Sequence, residues 1–474
     1  MKMLHGAIAA SLLSLGSAGV THAADFSPCA DAESQPALKR SLCTVEPVPG
    51  DPSGAASTPA ADVSIFIRKF PALGTNRGRV WLIAGGPGES GASFYGLLPK
   101  LRAAFPGFDL VMPDHRGTGF STRMCPDEEA PGSTAGSSLG GEEWGSCFGR
   151  LNAMPAYARQ FSATNAAHDL KLLLERAPRH GKTYVYGVSY GTQLVLRTVA
   201  LGAANIDGLI LDSLVPLQDD GTADLSRRSL VTDAVGREVL AACDTSERCS
   251  ARMGEPVETI YRRVLARPAK DPQLASVPGG NLKRFFGSLL DIPGAAGSIP
   301  DMIKELDAGK ADKVKAVLAQ VDQQVASLGV FPQSQPSMPL VIVISGSENN
   351  LRPGRTAEDV SQEEAGLLFS SSLPGHLVSA PLPLYPRDAW FGRLPERLPP
   401  TLVIHGDRDG KTPYAAAKRH IAALRKAGPV KLYTVKDSGH FVLWSDATCA
   451  GYEMKKFVLG KQAGPACIRV RSNH

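Results

Sequence analysis

A serine at a predicted turn between a strand and a helix is the side chain best suited to chemistry in this sequence. Residues 187–191 read Gly-Val-Ser-Tyr-Gly around Ser189, the predicted strand Thr183–Tyr186 precedes them, and helix-forming residues follow from Gln193. The flanking glycines permit a sharp turn that directs the hydroxyl toward the first amides of the helix, which stabilise negative charge. A second Gly-x-Ser-x-Gly match, around Ser138, follows no strand and is interpreted as a loop. Ser189 is therefore the predicted nucleophile.

A serine hydroxyl is a poor nucleophile without a base that accepts its proton. Among the ten histidines, His440 lies in a glycine-containing loop just after the predicted strand Val430–Val435, which suits an imidazole that reaches across a sheet. Two carboxylates, Asp407 and Asp409, follow the preceding predicted strand. We favour Asp409 as the acid that holds the imidazole tautomer and stabilises the imidazolium. Asp407 is expected to form an ion pair or to cap a turn.

Glycines at the end of another predicted strand could stabilise the oxyanion of an acyl-transfer reaction. The strand Val80–Ala84 runs into Gly-Gly-Pro-Gly at residues 85–88, and glycine lets a backbone approach a substrate closely. Two N–H donors are needed. We predict the amide of Tyr190 as one donor and that of Gly86 as the other, with Gly85 as the alternative. The sequence has no cluster with metal-ligand spacing, so we expect no metal and no other cofactor.

These candidates sit at the ends of strands that alternate with helices. Apolar or alternating runs predict strands at 63–67, 80–84, 109–112, 184–186, 206–211, 402–404 and 430–435. A helical pattern covers Ala166–Leu174, with Ser162 or Thr164 as its N-cap. The alternation predicts an α/β fold with a mostly parallel sheet and helices on both faces.

The alternation stops between about residues 219 and 397. This stretch has charged helical segments, such as Asp301–Gln324, and frequent proline and glycine. Strand patterns return after Pro400, so we interpret 219–397 as a large, mainly helical cap inserted into one core domain. The core would consist of residues 24–218 and 398–474. A separate downstream domain is the alternative.

The N-terminus and the cysteines indicate an exported protein. Residues 1–23 have a basic start, an apolar stretch and a small-x-small cleavage site, which is typical of a signal peptide. We expect the mature chain to be secreted or periplasmic, where disulfides form. Sequence alone cannot choose among 105 connectivities of eight cysteines. Local pairing is favoured because they fall into four neighbouring pairs: Cys29 and Cys43, Cys125 and Cys147, Cys243 and Cys249, and Cys449 and Cys467.

Composition excludes two classes of protein. The chain has 474 residues, of which 43% are hydrophobic, and a formal net charge of +5. Such a dispersed, mild charge does not favour a nucleic-acid partner, which requires a concentrated basic face. No uninterrupted apolar run reaches the roughly 18 residues of a membrane span.

The motifs together resemble those of the α/β-hydrolase aminopeptidases, which include prolyl iminopeptidases and the secreted tripeptidyl aminopeptidases. The similarity rests on Gly-Gly-Pro-Gly at 85–88, Asp-His-Arg-Gly-Thr-Gly-Phe-Ser at 114–121, Gly-Val-Ser-Tyr-Gly-Thr at 187–192, Asp409 with Thr-Pro at 412–413, and Gly-His at 439–440. It covers nearly the whole mature chain. The resemblance implies an α/β-hydrolase fold, a triad of Ser189, Asp409 and His440, and acyl transfer through an acyl-enzyme.

Two departures from this family pattern concern the oxyanion loop and the cap. Ala84 stands where these enzymes usually have a histidine, which we interpret as a change in the support of the loop. In the cap, Glu348 could pair with the free α-ammonium of a peptide, or it could be an ordinary solvated glutamate.

Three functions remain open from the sequence. The first is a serine exopeptidase that acts on free peptide N-termini. The second is an esterase or amidase of the same fold that takes small acyl substrates. The third is a catalytically inactive binding protein, which the intact serine, aspartate and histidine disfavour. A peptide or small acyl compound is the expected partner in the first two cases.

Overall fold

The computed structural model describes residues 25–54, 61–130, 132–133, 142–267 and 277–460. Three predictions fall outside these ranges: the signal peptide at 1–23, the loop around Ser138, and the pairing of Cys467.

A single nine-stranded sheet forms the centre of the described chain. Its strands are β1 (Ser27–Pro28), β2 (Leu42–Val48), β3 (Val63–Phe70), β4 (Gly78–Ile83), β5 (Asp109–Pro113), β6 (Lys182–Val188), β7 (Gly208–Asp212), β8 (Thr401–Gly406) and β9 (Val430–Val435). They lie in the order β1-β2-β3-β5-β4-β6-β7-β8-β9. All pairs from β5 to β9 are parallel, whereas β1, β2 and β3 pair antiparallel at one edge. The predicted mostly parallel sheet is confirmed, and the sequence did not predict β1 and β2.

Seventeen α-helices are described around this sheet. They are α1 (Leu98–Ala104), α2 (Gly145–Ala153), α3 (Pro155–Gln160), α4 (Ala163–Arg176), α5 (Tyr190–Ala200), α6 (Arg228–Asp244), α7 (Glu247–Met253), α8 (Val257–Leu265), α9 (Leu282–Leu289), α10 (Ile299–Asp307), α11 (Asp312–Ser327), α12 (Met338–Glu348), α13 (Ala357–Ala365), α14 (Leu373–Ser379), α15 (Tyr414–Leu424), α16 (Val442–Ser445) and α17 (Ala447–Val458). The predicted N-cap of α4 is present, since the Ser162 side chain accepts a hydrogen bond from the Asn165 amide.

Helices cover both faces of the sheet because the side chains of its central strands alternate between two apolar cores. Trp81 and Ile83 of β4 pack in one core with residues of α4, α5, α12 and α15. Val80 and Leu82 pack in the other with residues of α1, α16 and α17. Both pairs are nearly inaccessible to solvent, as expected for a strand covered on both sides.

The described elements between β7 and β8 are helical and have an apolar core of their own. Residues of α6 to α11 bury a third cluster, to which Ile260, Phe286 and Ile303 belong. Helix α12 differs, because Leu340 and Ile344 pack in the core of the sheet instead. The chain over α6–α14 is thus attached to the sheet through α12. Its division at 219 and 397 stays a prediction.

Three of the four predicted disulfides are present in the described chain. They join Cys29 to Cys43, Cys125 to Cys147, and Cys243 to Cys249, and Cys449 is also disulfide-bonded. Such bridges fit a protein that folds in an oxidising, extracellular compartment. No helix in the described ranges is both long and apolar enough to cross a membrane.

Candidate active site

Ser189 occupies a strained turn between β6 and α5. Its φ and ψ are 55° and −126°, a conformation that a side chain-bearing residue rarely adopts. The residues on either side of this turn must be glycine, because a larger side chain would collide with neighbouring backbone atoms. A Cβ on Gly187 would lie 2.6 Å from the carbonyl oxygen of Gly191, and one on Gly191 would lie 2.4 Å from that of Ile83. The turn leaves Ser189 partly exposed at the end of the sheet.

The predicted oxyanion loop lies against this serine, because β4 and β6 are parallel neighbours. A Cβ on Gly85 would be 3.0 Å from the Cβ of Ser189 and 3.7 Å from its Oγ. Gly86 has a φ of 107°, which favours glycine. Gly86, Ser189 and Tyr190 line one cavity. The structure thus brings the two predicted donor residues and the serine together, and the donor roles themselves stay a prediction.

Asp409 and His440 form a buried pair. The Nδ1 atom of His440 lies 3.0 Å and 2.8 Å from the two carboxylate oxygens of Asp409. Asp409 also accepts hydrogen bonds from the amides of Lys411 and Thr412, at 2.8 Å and 2.7 Å, and from the Thr412 hydroxyl at 2.6 Å. Burial would raise the pKa of Asp409, but the charge and hydrogen bond of His440 outweigh it and hold the pKa well below its usual range. The carboxylate is thus ionised and holds Nδ1 as the proton-bearing nitrogen.

Asp407 has the capping role that the sequence suggested. Its Oδ1 accepts a hydrogen bond of 2.6 Å from the amide of Asp437, in the loop that leads to His440. The two loops also approach closely elsewhere, since a Cβ on Gly406 would lie 2.3 Å from the carbonyl oxygen of Ser438. Asp407 therefore fixes the histidine loop and Asp409 the histidine itself.

The end of β7 connects the serine turn to the histidine loop, which the sequence did not predict. The amide of Ser189 donates to the Asp212 carbonyl oxygen at 3.0 Å. The Asp212 carboxylate accepts hydrogen bonds of 2.9 Å from the amides of Val442 and Leu443, at the start of α16. The amide of Phe441 donates to the Ser213 hydroxyl at 2.9 Å. Among the hydrogen bonds of the described residues, none joins Ser189 directly to His440, so their relative position depends on Asp212 and Ser213.

Asp212 is suited to this role because it is fully buried and saturated with donors. Tyr186 donates its hydroxyl to Oδ2 at 2.7 Å, and Ser213 donates to Oδ1 at 3.1 Å. Burial raises the pKa of Asp212, which these hydrogen bonds oppose. The signal in the sequence is an acidic residue directly after the apolar run Leu209–Leu211, where a strand buried on both faces ends.

Glu348, the predicted ammonium site, is occupied by partners within the chain. Arg197 contacts its two oxygens at 3.0 Å and 2.8 Å, Gln218 donates to Oε2 at 3.0 Å, and Tyr385 donates to Oε1 at 3.0 Å. The side chain is buried and is not among those that line the Ser189 cavity. Binding an ammonium ion there would require one of these partners to leave. Its substrate role stays a prediction.

Arg116 braces the loop after β5 and does not lie in the Ser189 cavity. Its guanidinium makes two hydrogen bonds of 2.6 Å to Asp169 on α4 and donates to the carbonyl oxygens of Pro49, Gly50 and Gln160. All its donors are thus used within the protein. In the described chain, the single group with metal-ligand proximity is Cys125, Glu128 and Cys147, and its two sulfurs are joined in a disulfide.

Comparisons with known proteins agree with this architecture. A family model described as alpha/beta hydrolase fold matches residues 78–265, and one described as TAP-like protein matches residues 380–464. A comparison with curated proteins finds no match.

Similar solved structures have low sequence identity. An esterase from Thermogutta terrifontis is 13% identical (TM-score 0.36, covering 88% of this chain and 98% of the other). A bromoperoxidase from Bacillus anthracis is 15% identical (0.36, 88% and 98%), and juvenile hormone epoxide hydrolase from the silkworm Bombyx mori is 14% identical (0.41, 90% and 81%).

The alpha/beta hydrolase match runs from β4 to α8 and includes the serine turn after β6, and the TAP-like match includes β8, β9, Asp409 and His440. From this topology and these matches, the chain has the α/β-hydrolase fold.

Proposed function

We propose that this α/β-hydrolase is a secreted serine exopeptidase that releases amino acids or short peptides from free N-termini. The observation that carries the proposal is the buried Asp409–His440 pair, held by Asp212 at the same end of the sheet as the turn of Ser189. The TAP-like match over residues 380–464 supports a peptidase, since it includes both Asp409 and His440.

In the proposed reaction, Ser189 Oγ attacks the scissile carbonyl carbon and its proton passes to Nε2 of His440. The amides of Gly86 and Tyr190 donate to the oxyanion, while Asp409 stabilises the imidazolium without taking its proton. The carbon–nitrogen bond then breaks, and His440 returns the proton to the leaving amine. Water attacks the acyl-enzyme with the same base, which releases the acid and restores the hydroxyl of Ser189.

Export is the second part of the proposal. The signal-like residues 1–23 and the three described disulfides support a secreted or periplasmic enzyme. Detection of a mature chain that begins near residue 24 outside the cytoplasm would test it. Retention of residues 1–23 in the active protein would contradict it.

An esterase or amidase for small acyl substrates is the second candidate, and one observation favours it. Asp224 is the single carboxylate that lines the described Ser189 cavity, and its Oδ1 lies 3.3 Å from the Nε of Arg227. Glu348 is bonded to Arg197. Glu348 is therefore not free to bind an α-ammonium in this conformation, and the charge of Asp224 is already shared with Arg227, although its Oδ1 accepts no hydrogen bond from a described residue. An acyl ester needs no such partner.

Matched substrates distinguish the two candidates. We would compare kcat/KM for aminoacyl- and tripeptidyl-arylamides with free or acetylated amines, and for simple aryl esters, with wild type and Ser189→Ala. A peptidase prefers the free amines, and acetylation should lower kcat/KM by about 10-fold or more. A higher kcat/KM for acetylated amides or for esters would overturn the proposal of an exopeptidase.

Labelling by a fluorophosphonate tests the nucleophile itself. Wild type should be labelled on Ser189, and Ser189→Ala should lose both the label and at least about 1000-fold of kcat. Absence of labelling in folded wild type, together with no turnover, would instead support a binding protein.

A further inference from the structure

The cavity beside Ser189 is lined by a positively charged side chain, that of Arg228, which the proposed mechanism does not use. The cavity has a volume of about 60 Å³, which suits a small substituent. The oxyanion loop, the start of α5, the segment after β7 and the start of α6 contribute its walls. Three charged side chains line it: Asp224, Arg228 and Lys411. Two of the three are positive.

Two of these three side chains are engaged within the protein. Asp224 accepts hydrogen bonds at Oδ2 from the amides of Ser226 and Leu351, at 3.2 Å and 2.9 Å, and faces Arg227 through Oδ1. The Nζ of Lys411 lies 3.8 Å from Oδ2 of Asp291. The charge of each is therefore largely balanced.

The positive charge of Arg228, in contrast, has no nearby carboxylate among the described residues to balance it. Across the described ranges its guanidinium makes no hydrogen bond and has no carboxylate oxygen within 4 Å. Burial lowers the pKa of Arg228, and the more distant charges of Asp291 and Asp409 oppose that effect. Arginine remains a cation at neutral pH. Arg116 and Arg197, which are more deeply buried than Arg228, each have a carboxylate partner.

A second unpartnered donor lines the same cavity. Gln193 is only 7% exposed, so its buried Nε2 atom, which has no hydrogen-bond partner within the described part of the protein, is also shielded from water. An amide nitrogen and a guanidinium both donate and cannot satisfy each other. Buried oxygens of Asp224 (Oδ1) and Tyr190 (Oη) in the same wall also have no hydrogen-bond partner in the part of the chain that the structure describes. The two nitrogen donors can serve only an acceptor, and the charge of Arg228 favours an anionic one.

We propose that Arg228 binds a carboxylate of the substrate, so that the Ser189 cavity selects acyl compounds or peptides that carry an anionic group close to the scissile bond. This specificity rests on the proposed function, since it takes the cavity as the substrate site. A planar guanidinium can hold a carboxylate with two parallel hydrogen bonds, which an ammonium group cannot reproduce.

A purely electrostatic role for Arg228 is the competing explanation. Its charge would then offset Asp291 and Asp409, and its loss would change the turnover of neutral and anionic substrates alike. Specificity for a carboxylate requires instead that the loss depend on the charge of the substrate.

Isosteric substrates separate these roles. Aspartyl and asparaginyl p-nitroanilides differ in charge on the acyl side, and alanyl-4-aminobenzoate and alanyl-4-aminobenzamide differ on the leaving-group side. We expect wild type to prefer the acid of at least one pair by roughly 10- to 100-fold in kcat/KM, the size expected for a charged hydrogen bond. Arg228→Gln should lose that preference while it changes the neutral member less than about threefold. Arg228→Lys should retain part of it.

Arg262→Gln is the matched control, because it removes an exposed arginine of α8 that pairs with Glu258. It should leave the preference unchanged. Thermal unfolding of each variant establishes that it is folded. Equal losses of both members of a pair in Arg228→Gln would overturn the proposal, as would the absence of any acid preference in wild type.

A binding measurement keeps this inference distinct from the proposed reaction. Succinate and succinamate would be titrated by calorimetry into Ser189→Ala and into Ser189→Ala with Arg228→Gln. Tighter binding of succinate that depends on Arg228 supports the anion site even where no Ser189-dependent turnover is found, an outcome that defeats only the proposed function. Equal binding of the two ligands defeats the anion site even where the peptidase reaction is established.

Discussion

Two aspartates in the same turn have different environments, and these decide what each can do. Asp409 is 1% exposed and faces the ring of His440, whereas Asp407 caps the amide of Asp437. The structure places Asp409 rather than Asp407 against the ring, as the sequence spacing predicted from a turn that curls toward the loop after β9, and the catalytic role of Asp409 stays a prediction. It could not indicate that Thr412 would complete the shell of Asp409, since that contact depends on the conformation of the turn.

Asp409→Asn should remove most of the activity. The amide cannot stabilise the imidazolium and favours the wrong tautomer, so we expect kcat to fall by about 1000- to 10 000-fold. Asp407→Asn is the control two positions away. It keeps an oxygen for the Asp437 amide and should lower kcat less than about tenfold. Similar losses in the two variants would contradict the assignment of Asp409.

The same pair should make stability depend on pH. Because the pKa of Asp409 is lower in the folded chain than the ordinary aspartate value of 3.8, the ionised carboxylate stabilises the folded state. That contribution is fully present above pH 3.8 and is lost as the pH falls toward the folded-state pKa. Urea unfolding should therefore show a larger loss for Asp409→Asn at pH 7 than at pH 3. An equal loss at both pH values would contradict this.

Among the secondary-structure elements, β7 links the serine turn to the histidine loop. Its last residue contacts the serine turn through a carbonyl oxygen and α16 through a carboxylate. This dual contact could not be predicted from the sequence, because Ser189 lies more than 20 residues before Asp212, and Val442 and Leu443 lie more than 200 residues after it. Local patterns identify a strand end but not the loops that converge on it.

Asp212→Asn should disturb the histidine loop. Asparagine offers one oxygen where the carboxylate used two, so at least one buried donor loses its acceptor, at a cost of about 1–3 kcal/mol. We expect kcat to fall at least tenfold while KM changes little, because α16 follows His440 directly.

Asp114→Asn is a matched control for this variant. Asp114 is another buried aspartate at a strand end, accepts from the amides of Gly91 and Phe120, and has a pKa that burial raises to about 7. Asp114→Asn should also lower the free energy of unfolding, but it should lower kcat less than Asp212→Asn does. An equal fall of kcat in both variants would show that Asp212 acts only through stability.

Strand prediction succeeded for the buried central strands and for β9 at one edge of the sheet, and it failed at the other edge, where β1 and β2 lie. The apolar runs of β4, β6, β7 and β8 are visible without a structure. The sequence of β2, Leu-Cys-Thr-Val-Glu-Pro-Val, contains a proline and a charged residue, which argue against a strand. It pairs as a strand because it lies near an edge, between β1 and β3.

At the scale of the whole molecule, a disulfide secures that edge. Cys29 follows β1 and Cys43 lies in β2, and three strands separate β2 from β6. Replacing both cysteines by serine should lower the free energy of unfolding by about 3 kcal/mol on the loop-entropy model, with kcat unchanged at 25 °C. Urea unfolding without reductant measures this. The Cys243–Cys249 bridge closes a shorter loop, so its removal should cost less, about 2 kcal/mol.

The helical region between β7 and β8 was predicted as a unit, and the structure shows where that view is incomplete. Helices α6 to α11 do share an apolar core, as a cap would. Helix α12 instead buries its apolar side chains against the sheet. Because the run Leu340–Ile344 is apolar throughout, its sequence does not indicate which face of the helix packs against a core. A helix without an apolar stripe does not reveal from its sequence which core it joins.

Insertion of this region between β7 and β8 also separates the proposed catalytic groups in time. A ribosome completes the serine turn at residue 189 of 474 but reaches the histidine only at residue 440. During synthesis and export the growing polypeptide therefore carries a hydroxyl with no imidazole to activate it. Under the proposed mechanism, hydrolysis can begin only after residue 440 has been synthesised and its loop has folded against the end of β7.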